Sequence, residues 1–214
     1  GISTPQQKIN QLMLDYALQG KLVVRLKGGD VSVFSNILDE LQVLAQNNIA
    51  YEIIPGVTAA LGAAACAGIP LTARGYSTAV RLLTYYKSDV VPDQYWQEIA
   101  GTNDTLVFYM SAETVEGIVS KLIRYGVGRD KHIAVIEQAT TPLQQVHTAN
   151  IYDYSEQFRN LSFISPSLVI IGKVVALHEQ FAWLTNTPER AQYFKSIASL
   201  QNNTHNQQAH VSRA

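Results

Sequence analysis

The feature that most constrains this chain is a pair of glycine turns, each directly after a short apolar run. The first turn is Lys-Gly-Gly-Asp at residues 27–30, after the run at residues 22–26. The second is Pro-Gly-Val-Thr-Ala-Ala at residues 55–60, after residues 51–54. Short apolar runs bounded by glycine or proline are typical of buried parallel strands. Apolar residues recur at helical spacing over residues 34–46 between the two units. This order of strand, turn and helix, repeated once, predicts an α/β fold.

Both turns lie where a sheet of this class binds its ligand, beyond the carboxyl ends of the strands. The paired glycines at Gly28 and Gly29 allow the backbone to approach a ligand closely, because no Cβ blocks the approach. The Asp30 carboxylate is suited to accept from a ribose or an amine. The helix that begins at Thr58 would present its first N–H groups to the same crevice. Ordinary tight turns are the alternative interpretation of one Gly-Gly-Asp, since the chain has no Gly-x-Gly-x-x-Gly or Walker motif.

The longer runs that contain these turns are much more specific than either turn alone. "VVRLKGGDVSVF", "IPGVTAALGAAACAGIPLTARG" and "TLVFYM" follow one another in this order. On these runs the chain resembles the tetrapyrrole methylase family, and within it the uroporphyrinogen-III C-methyltransferases, from about Pro5 to Leu184. The resemblance implies a homodimer that uses S-adenosyl-L-methionine to methylate uroporphyrinogen III to precorrin-2, in sirohaem and cobalamin synthesis.

The resemblance also implies two α/β domains with a cofactor cleft between them. We expect a partial first domain at residues 1–75, a second domain at residues 76–186 and a disordered tail at residues 187–214. Family members begin earlier, with a strand that ends in a glycine-rich loop. We therefore expect the chain to be an N-terminally truncated form that is inactive by itself.

Periodicity predicts the elements of the second domain in detail. Strands are expected at residues 80–85, 105–110, 132–137, 144–148 and 167–171. Helices are expected at residues 95–100, 112–125, 151–160 and 177–184, in addition to one over residues 5–18 at the start of the chain.

The resemblance assigns cofactor-binding residues by motif. They are Gly28, Gly29, Asp30, Val33, Thr58, Ala59, Met110 and Ala139. The acidic and lysine residues that the family is proposed to use as a base lie before this chain begins, so Arg25 is the remaining catalytic candidate. Its charge ends an apolar run and needs a partner, which is either Asp30 or a carboxylate of the substrate.

A substrate with eight carboxylates requires cationic partners, and arginine is suited to bidentate pairing with them. Arg25, Lys27, Arg74 and Arg81 are the cations expected near the cleft. Each of them, taken alone, is also explained as solvated surface charge.

The chain departs from the family at two places on the substrate side. After Asp30 the family usually continues with Pro-Phe and a Gly-Arg-Gly-Gly-type loop, where this chain has "VSVFSNIL" at residues 31–38. The second-domain strand commonly ends in Thr-Gly-His, where this chain has Thr-Tyr-Tyr-Lys at residues 84–87. We expect these changes to affect substrate geometry more than cofactor binding.

The composition of the chain argues against several classes of partner, namely nucleic acid, membrane and metal ions. A formal net charge of −1 does not indicate a nucleic-acid surface, and no apolar run approaches the length of a membrane span. The single cysteine, Cys66, and the five histidines show no metal-ligand spacing, so we expect no metal site. The lack of a secretory signal pattern and of paired cysteines favours the reducing cytoplasm.

Two other interpretations stay open at this point. One keeps the fold and changes the substrate to another corrinoid precursor, a diphthamide precursor or ribosomal RNA. The other is a binding module that holds the cofactor or a tetrapyrrole without turnover. The amino-acid sequences of the two glycine turns and of "PLTARG" favour the uroporphyrinogen-III reaction.

Overall fold

The computed structural model describes residues 4–85, 91–110 and 113–194. Its helices and strands confirm the predicted α/β fold. Contacts divide these residues into two compact units, one of residues 4–58 with Phe194 and the other of residues 59–193. The compact units divide after Thr58, whereas the domain boundary predicted from the sequence lies after Gly75, and that boundary stays a prediction.

The first unit is built on two helices, α1 (Gln6–Leu18) and α2 (Ile37–Gln46), which pack against each other. In α2, Glu40 and Leu44 lie four residues apart and therefore share the buried face. The buried side chains of this unit, among the residues that the structure describes, are Asn10, Glu40, Leu44 and Thr58. Three of these four are polar, so hydrogen bonds and ion pairs hold the unit more than an apolar core does.

The two apolar runs that precede the glycine turns are not strands. Residues 22–26 and 51–54 are without helix or strand, and Leu22 and Leu26 are 95% and 81% exposed. The prediction of two buried strands here is wrong. An apolar run becomes a buried strand only where a neighbouring strand pairs with it and another layer covers it. Neither run pairs with a strand among the residues that the structure describes.

The second unit begins with helix α3 and continues as a five-stranded sheet with further helices. The strands are β1 (Val80–Thr84), β2 (Thr105–Tyr109), β3 (His132–Glu137), β4 (Gln145–Asn150) and β5 (Ser167–Gly172). The helices are α3 (Ala59–Ala67), α4 (Asp93–Gly101), α5 (Val115–Arg124), α6 (Tyr154–Gln157) and α7 (His178–Phe181), with 3-10 turns at Ile151–Asp153 and Lys173–Leu177.

The sheet has the order β1-β2-β5-β3-β4 and is mixed. Strands β1 and β2 are parallel, with Leu82 opposite Val107, while the other three pairings are antiparallel. Every residue of β2 is buried, and so are the last five of β3 and of β5. Continuous apolar strands such as these occupy the centre of a sheet that is covered on both faces.

The core of the second unit lies between this sheet and helices α4 and α5. In α5, Val115, Ile118, Val119 and Leu122 follow the helical repeat and are all buried. Trp96 of α4 is buried with them, in edge-to-face contact with Tyr85 at 5.1 Å between ring centroids. Burial of these large side chains is the main stabilising term for the unit.

The structure confirms the five strands and the helices predicted for this part of the chain, with boundaries shifted by a few residues, while residue 112 of the helix predicted at residues 112–125 lies outside the described residues. Of the predicted disordered tail, residues 195–214 lie outside the described residues. Residues 187–194 have no helix or strand, although several of them accept or donate hydrogen bonds. In the described part of the chain no helix is both long and apolar enough to cross a bilayer.

Candidate functional site

The two glycine turns of the first unit are in direct contact. The Gly56 N–H donates to the Asp30 Oδ2 over 2.9 Å. A Cβ on Gly56 would overlap the carbonyl oxygen of Gly29, so only glycine allows this approach. Gly29 itself has φ +72°, in the left-handed region that favours glycine. The prediction that these turns lie together is confirmed, and Asp30 is the residue that joins them.

The Asp30 carboxylate accepts hydrogen bonds from the chain's own backbone. Its Oδ1 accepts from the Ser32 N–H over 2.8 Å and from the Ser32 hydroxyl. These bonds, with that from Gly56, lower the pKa of the Asp30 carboxyl below its ordinary value, because they favour the ionised form. The structure thus gives Asp30 a role in shaping the turn, and the predicted contact with a ribose or an amine stays a prediction.

A cavity of about 390 Å³ opens beside the first turn. It is lined by Arg25, Leu26, Lys27, Gly28, Val33, Phe34 and Ser35. A Cβ built on Gly28 meets no atom within 4 Å, so the wall there is backbone with open space in front of it. The cavity volume lies within the range of roughly 300–1,000 Å³ that is usual for small-molecule sites.

The cations of this cavity are held by one buried carboxylate, Glu40 of α2. The Arg25 Nε lies 3.1 Å from the Glu40 Oε1, and the Lys27 Nζ lies 3.0 Å from its Oε2. Lys27 also donates to the carbonyl of Ser35 over 2.6 Å, and Gln6 of α1 donates to the Glu40 Oε1 over 3.0 Å. One carboxylate thus fixes two cations and connects them to both helices.

The charge state of Glu40 follows from these contacts. Burial raises the pKa of the Glu40 carboxyl, but hydrogen bonds from Gln6, Lys27 and Arg25 outweigh burial, and the pKa is below its ordinary value. Two cations then face a single negative charge, so the cluster carries a net positive charge at neutral pH. An anionic group is the complementary ligand for such a cluster.

The second unit contains three of the other positions that the resemblance assigned, and the fourth, Thr58, is a buried residue at the end of the first unit. The N–H of Ala60, in the first turn of α3, donates to the Tyr109 hydroxyl over 3.1 Å. Tyr109 ends β2 and is followed by Met110, which is half exposed with φ +54°. The loop after β3, which contains Ala139, approaches the same helix, since a Cβ on Gly62 would lie 3.2 Å from the Thr140 methyl. Ala59, Met110 and Ala139 are thus on adjoining segments.

The far end of α3 is anchored by three side chains from later in the chain. The Gln144 Nε2 donates to the Cys66 carbonyl over 3.4 Å, and the Trp183 Nε1 donates to the Ala65 carbonyl over 2.8 Å. The His178 Nδ1 lies 2.6 Å from the Ala67 carbonyl. These bonds satisfy carbonyls that a helix terminus leaves without intrahelical partners. The position of α3, and so of Ala59, is therefore fixed by the loop after β3 and by the segment around α7.

Comparison with known proteins identifies the family. The family model of tetrapyrrole (corrin/porphyrin) methylases matches residues 2–154, more than half of the chain. This chain belongs to the tetrapyrrole methylase family. It is 42% identical over 181 residues to siroheme synthase of Saccharophagus degradans, covering 85% of this chain and 40% of that protein. It is also 42% identical over 198 residues to siroheme synthase 2 of Aeromonas hydrophila, covering 92% of this chain and 42% of that protein. The chain spans about two fifths of the length of these curated relatives.

Solved structures agree with the family assignment. The uroporphyrin-III C-methyltransferase of Thermus thermophilus, complexed with S-adenosyl homocysteine, superposes with a TM-score of 0.66 at 30% identity. The match covers 80% of this chain and 75% of that protein. A cobalt precorrin-4 methyltransferase gives a TM-score of 0.72 at 23% identity, covering 81% and 73% of the two chains. That second likeness shows the fold alone.

Within this methylase fold, Arg25 pairs with Glu40, not with Asp30. The alternative of an internal Arg25–Asp30 pair is therefore wrong, because Asp30 is taken up by Ser32 and Gly56. Arg25 also donates to the Leu26 carbonyl over 2.9 Å, and its side chain is 35% exposed. Its predicted catalytic role stays a prediction.

Arg81 does not belong with the candidate site. It lies near the amino end of β1, the opposite end from the one expected to bind a ligand, and its guanidinium pairs with Asp104 and Glu98 at 2.6 Å each. Of the departures from the family, Tyr85 packs against Trp96 in the core, while Tyr86 and Lys87 lie outside the described residues. Arg74 is an exposed residue.

Sequence reasoning missed Glu40 and Tyr109. Glu40 follows Ile37 by three residues and precedes Leu44 by four, so it lies on the apolar face of α2. A carboxylate on such a face is a signal for a buried ion pair, because a buried charge is costly without a partner. No feature of the sequence indicated a functional role for Tyr109, because a tyrosine at the end of a buried strand is common.

The joining of the two turns by Asp30 predicts a pH-dependent stability. Because the folded-state pKa of Asp30 is lowered, its stabilising contribution is present above its unfolded pKa and is lost as the pH falls through the folded value. Asp30→Asn should therefore lower the melting temperature at pH 7, and this difference from the parent protein should become smaller as the pH falls below the ordinary carboxyl pKa. Thermal denaturation from pH 7 to pH 3 measures this, with the exposed Glu52→Gln as the control. A difference of constant size across this pH range would contradict the role of Asp30.

Proposed function

We propose that this chain is the methyltransferase module of a uroporphyrinogen-III C-methyltransferase, which uses S-adenosyl-L-methionine and forms precorrin-2. The observation that carries the proposal is the shared cavity of the first unit. Two residues assigned to the cofactor, Gly28 and Val33, line it together with the catalytic candidate Arg25. Family membership and the siroheme synthase relatives support this reaction class.

The residues present fit the cofactor. Gly28 offers an unobstructed backbone wall, and the contact between Gly29 and Gly56 keeps the turn in the shape that exposes this wall. In the second unit, Ala59 and Ala139 have small side chains and lie on segments that Tyr109 and Thr140 hold in place. The relative from Thermus thermophilus was solved with S-adenosyl homocysteine, which is the product of methyl transfer from this cofactor.

S-adenosyl-L-methionine, when bound, supplies an electrophilic methyl group on a sulfonium. The chain's contribution is to align a nucleophilic pyrrole carbon with that methyl group, since alignment lowers the barrier of a direct displacement. Arg25 and Lys27, already fixed by Glu40, are placed to bind carboxylates of the tetrapyrrole. Their pre-ordered geometry reduces the entropy that substrate binding costs.

Other substrates of the same reaction type are the second candidate. The likeness to a cobalt precorrin-4 methyltransferase, and that to a diphthine synthase at 14% identity, concern the fold and do not select a substrate. The likeness to the uroporphyrin-III C-methyltransferase of Thermus thermophilus, at 30% identity, supports uroporphyrinogen III as the substrate, and the siroheme synthase relatives, at 38–42% identity, support a place in siroheme synthesis. We also propose that the protein forms a homodimer and is located in the cytoplasm. Methyl transfer assayed with uroporphyrinogen III separates this enzyme from a binding module without turnover.

The open wall at Gly28 gives a direct test of cofactor binding. Gly28→Val should weaken binding of S-adenosyl homocysteine by more than about tenfold, because the new side chain would fill space that no protein atom occupies. Its melting temperature should stay near that of the parent protein for the same reason. Calorimetry on the protein as its gene encodes it measures the affinity. Gly101→Val, also at a glycine with open space, is the matched control.

Unchanged affinity in Gly28→Val would contradict the assignment of the cofactor to this turn. Loss of affinity together with loss of folding would show instead that the position is structural. The Gly101→Val control should bind S-adenosyl homocysteine with the parent affinity.

The cation cluster gives a separate test for the substrate. Arg25→Leu should lower turnover of uroporphyrinogen III by about ten- to a hundredfold, the scale of one lost charge-assisted contact. Affinity for S-adenosyl homocysteine should stay near normal, and the protein should fold, because Lys27 still pairs with Glu40. Steady-state kinetics with Arg25→Lys as the conservative control completes the test. Normal turnover, or a loss confined to cofactor affinity, would remove Arg25 from the substrate site.

A further inference from the structure

The loop after β3 has a conformation that its own sequence does not favour. Gln138 and Thr140, on either side of Ala139, have φ +47° and +68°. Non-glycine residues in this region carry a conformational cost of order 1–3 kcal/mol each, so the surroundings must hold them there. Part of the support is local, since the Thr141 N–H and hydroxyl both donate to the Gln138 carbonyl. The Gln138 N–H donates to the Pro166 carbonyl over 2.7 Å.

Further support comes from residues 186–193, which we name the C-terminal strap. The Gln138 side chain is 1% exposed and binds the strap at both ends of its amide. Its Nε2 donates to the Ala191 carbonyl over 2.9 Å, and its Oε1 accepts from the Tyr193 N–H over 2.7 Å. A buried amide paired in this way fixes the χ angles of Gln138 and, with them, the start of the loop.

An ion pair fastens the strap next to these bonds. Glu137, the last residue of β3, is fully buried, and its Oε1 accepts from the Arg190 Nη2 over 3.1 Å and from the Ile164 N–H over 2.8 Å. His147 lies 3.7 Å from the other carboxylate oxygen. Burial lowers the pKa of the His147 imidazole, which is therefore neutral at neutral pH. Among the residues that the structure describes, Arg190 is then the cation that compensates the buried charge of Glu137.

The other end of the strap is bound to β4. Asn186 exchanges two hydrogen bonds with the backbone of Val146, of 2.8 Å and 2.9 Å, and the Gln145 Nε2 donates to the Thr187 carbonyl over 2.5 Å. The strap is therefore anchored at both ends, to β4 and to the end of β3.

We infer that the C-terminal strap positions the cofactor loop at residues 138–141, with Gln138 and Arg190 as its positioning residues. This inference rests on the proposed function, because Ala139 is the loop residue assigned to S-adenosyl-L-methionine. Release of the strap leaves the two left-handed residues with only the local part of their support, and the loop then relaxes away from the shape that binds the cofactor.

The test replaces Arg190 in the protein as its gene encodes it. Arg190→Met should raise the Kd for S-adenosyl homocysteine and the KM for S-adenosyl-L-methionine by about three- to thirtyfold, while kcat changes by less than about twofold. Arg190→Lys keeps the charge and should recover most of the affinity. Glu189→Gln, a neutralisation at the neighbouring exposed position, is the matched control and should behave as the parent protein.

Arg190→Met leaves a buried carboxylate without its cation and could fail to fold for that reason alone. The double variant Glu137→Gln with Arg190→Met removes both charges and should fold, yet it lacks the same anchor. Parent-like Kd and KM values in the folded double variant would overturn the inference. A fall in melting temperature with unchanged Kd and KM would overturn it too, because the strap would then be only structural.

Hydrogen exchange distinguishes this failure from a failure of the proposed function. Without any ligand, the amides of residues 138–141 should exchange faster in the double variant than in the parent protein, since the loop is less well held. Unchanged protection there overturns the inference even if the chain binds no S-adenosyl homocysteine. Faster exchange in a protein that does not bind S-adenosyl homocysteine supports the strap's hold on the loop and contradicts the cofactor assignment.

Discussion

The hydrogen bond from the Gly56 N–H to the Asp30 carboxylate is the interaction on which the candidate site depends. It joins two turns that are separated by a whole helix in the sequence, and it places Gly56 against the Gly29 carbonyl, where a larger residue does not fit. With the first turn held in this way, the backbone at Gly28 faces open space. Because the Asp30 carboxylate binds the backbone N–H groups of Ser32 and Gly56, the two turns are held together without a ligand, and the candidate site is shaped before anything binds.

Each of the two units contains a buried glutamate that binds cationic side chains. In the first unit Glu40 holds two cations at the edge of the cavity, so that a net positive charge remains for an anionic substrate. In the second unit Glu137 holds Arg190 and, through it, the C-terminal strap. Removing a charge from water is costly, and each glutamate is tolerated because a cation compensates it. These buried carboxylates position other groups and need not take part in the chemistry themselves.

The extent to which the sequence predicts this structure follows from the range of each interaction. Strands such as β3 and helices such as α5 carry a clear period of apolar residues, and both form where that period indicates. Residues 22–26 carry a similar signal but form no strand, because strand formation depends on a partner that local sequence does not contain. Motifs predict that the glycine turns meet. They do not predict that Asp30 joins them, or that Arg25 pairs with Glu40 and not with Asp30, since those choices depend on side chains from other elements.

The most direct test of the central claim is a map of the bound cofactor on the chain. Hydrogen–deuterium exchange with and without S-adenosyl homocysteine, on the protein as its gene encodes it, reports backbone protection along the sequence. We expect slower exchange at residues 28–33 and at residues 138–141, and no change in α4, which packs against α5 in the core of the second unit. Protection confined to other segments, or no protection at saturating ligand, would contradict the proposed assignment of cofactor contacts to the first glycine turn and to the loop after β3.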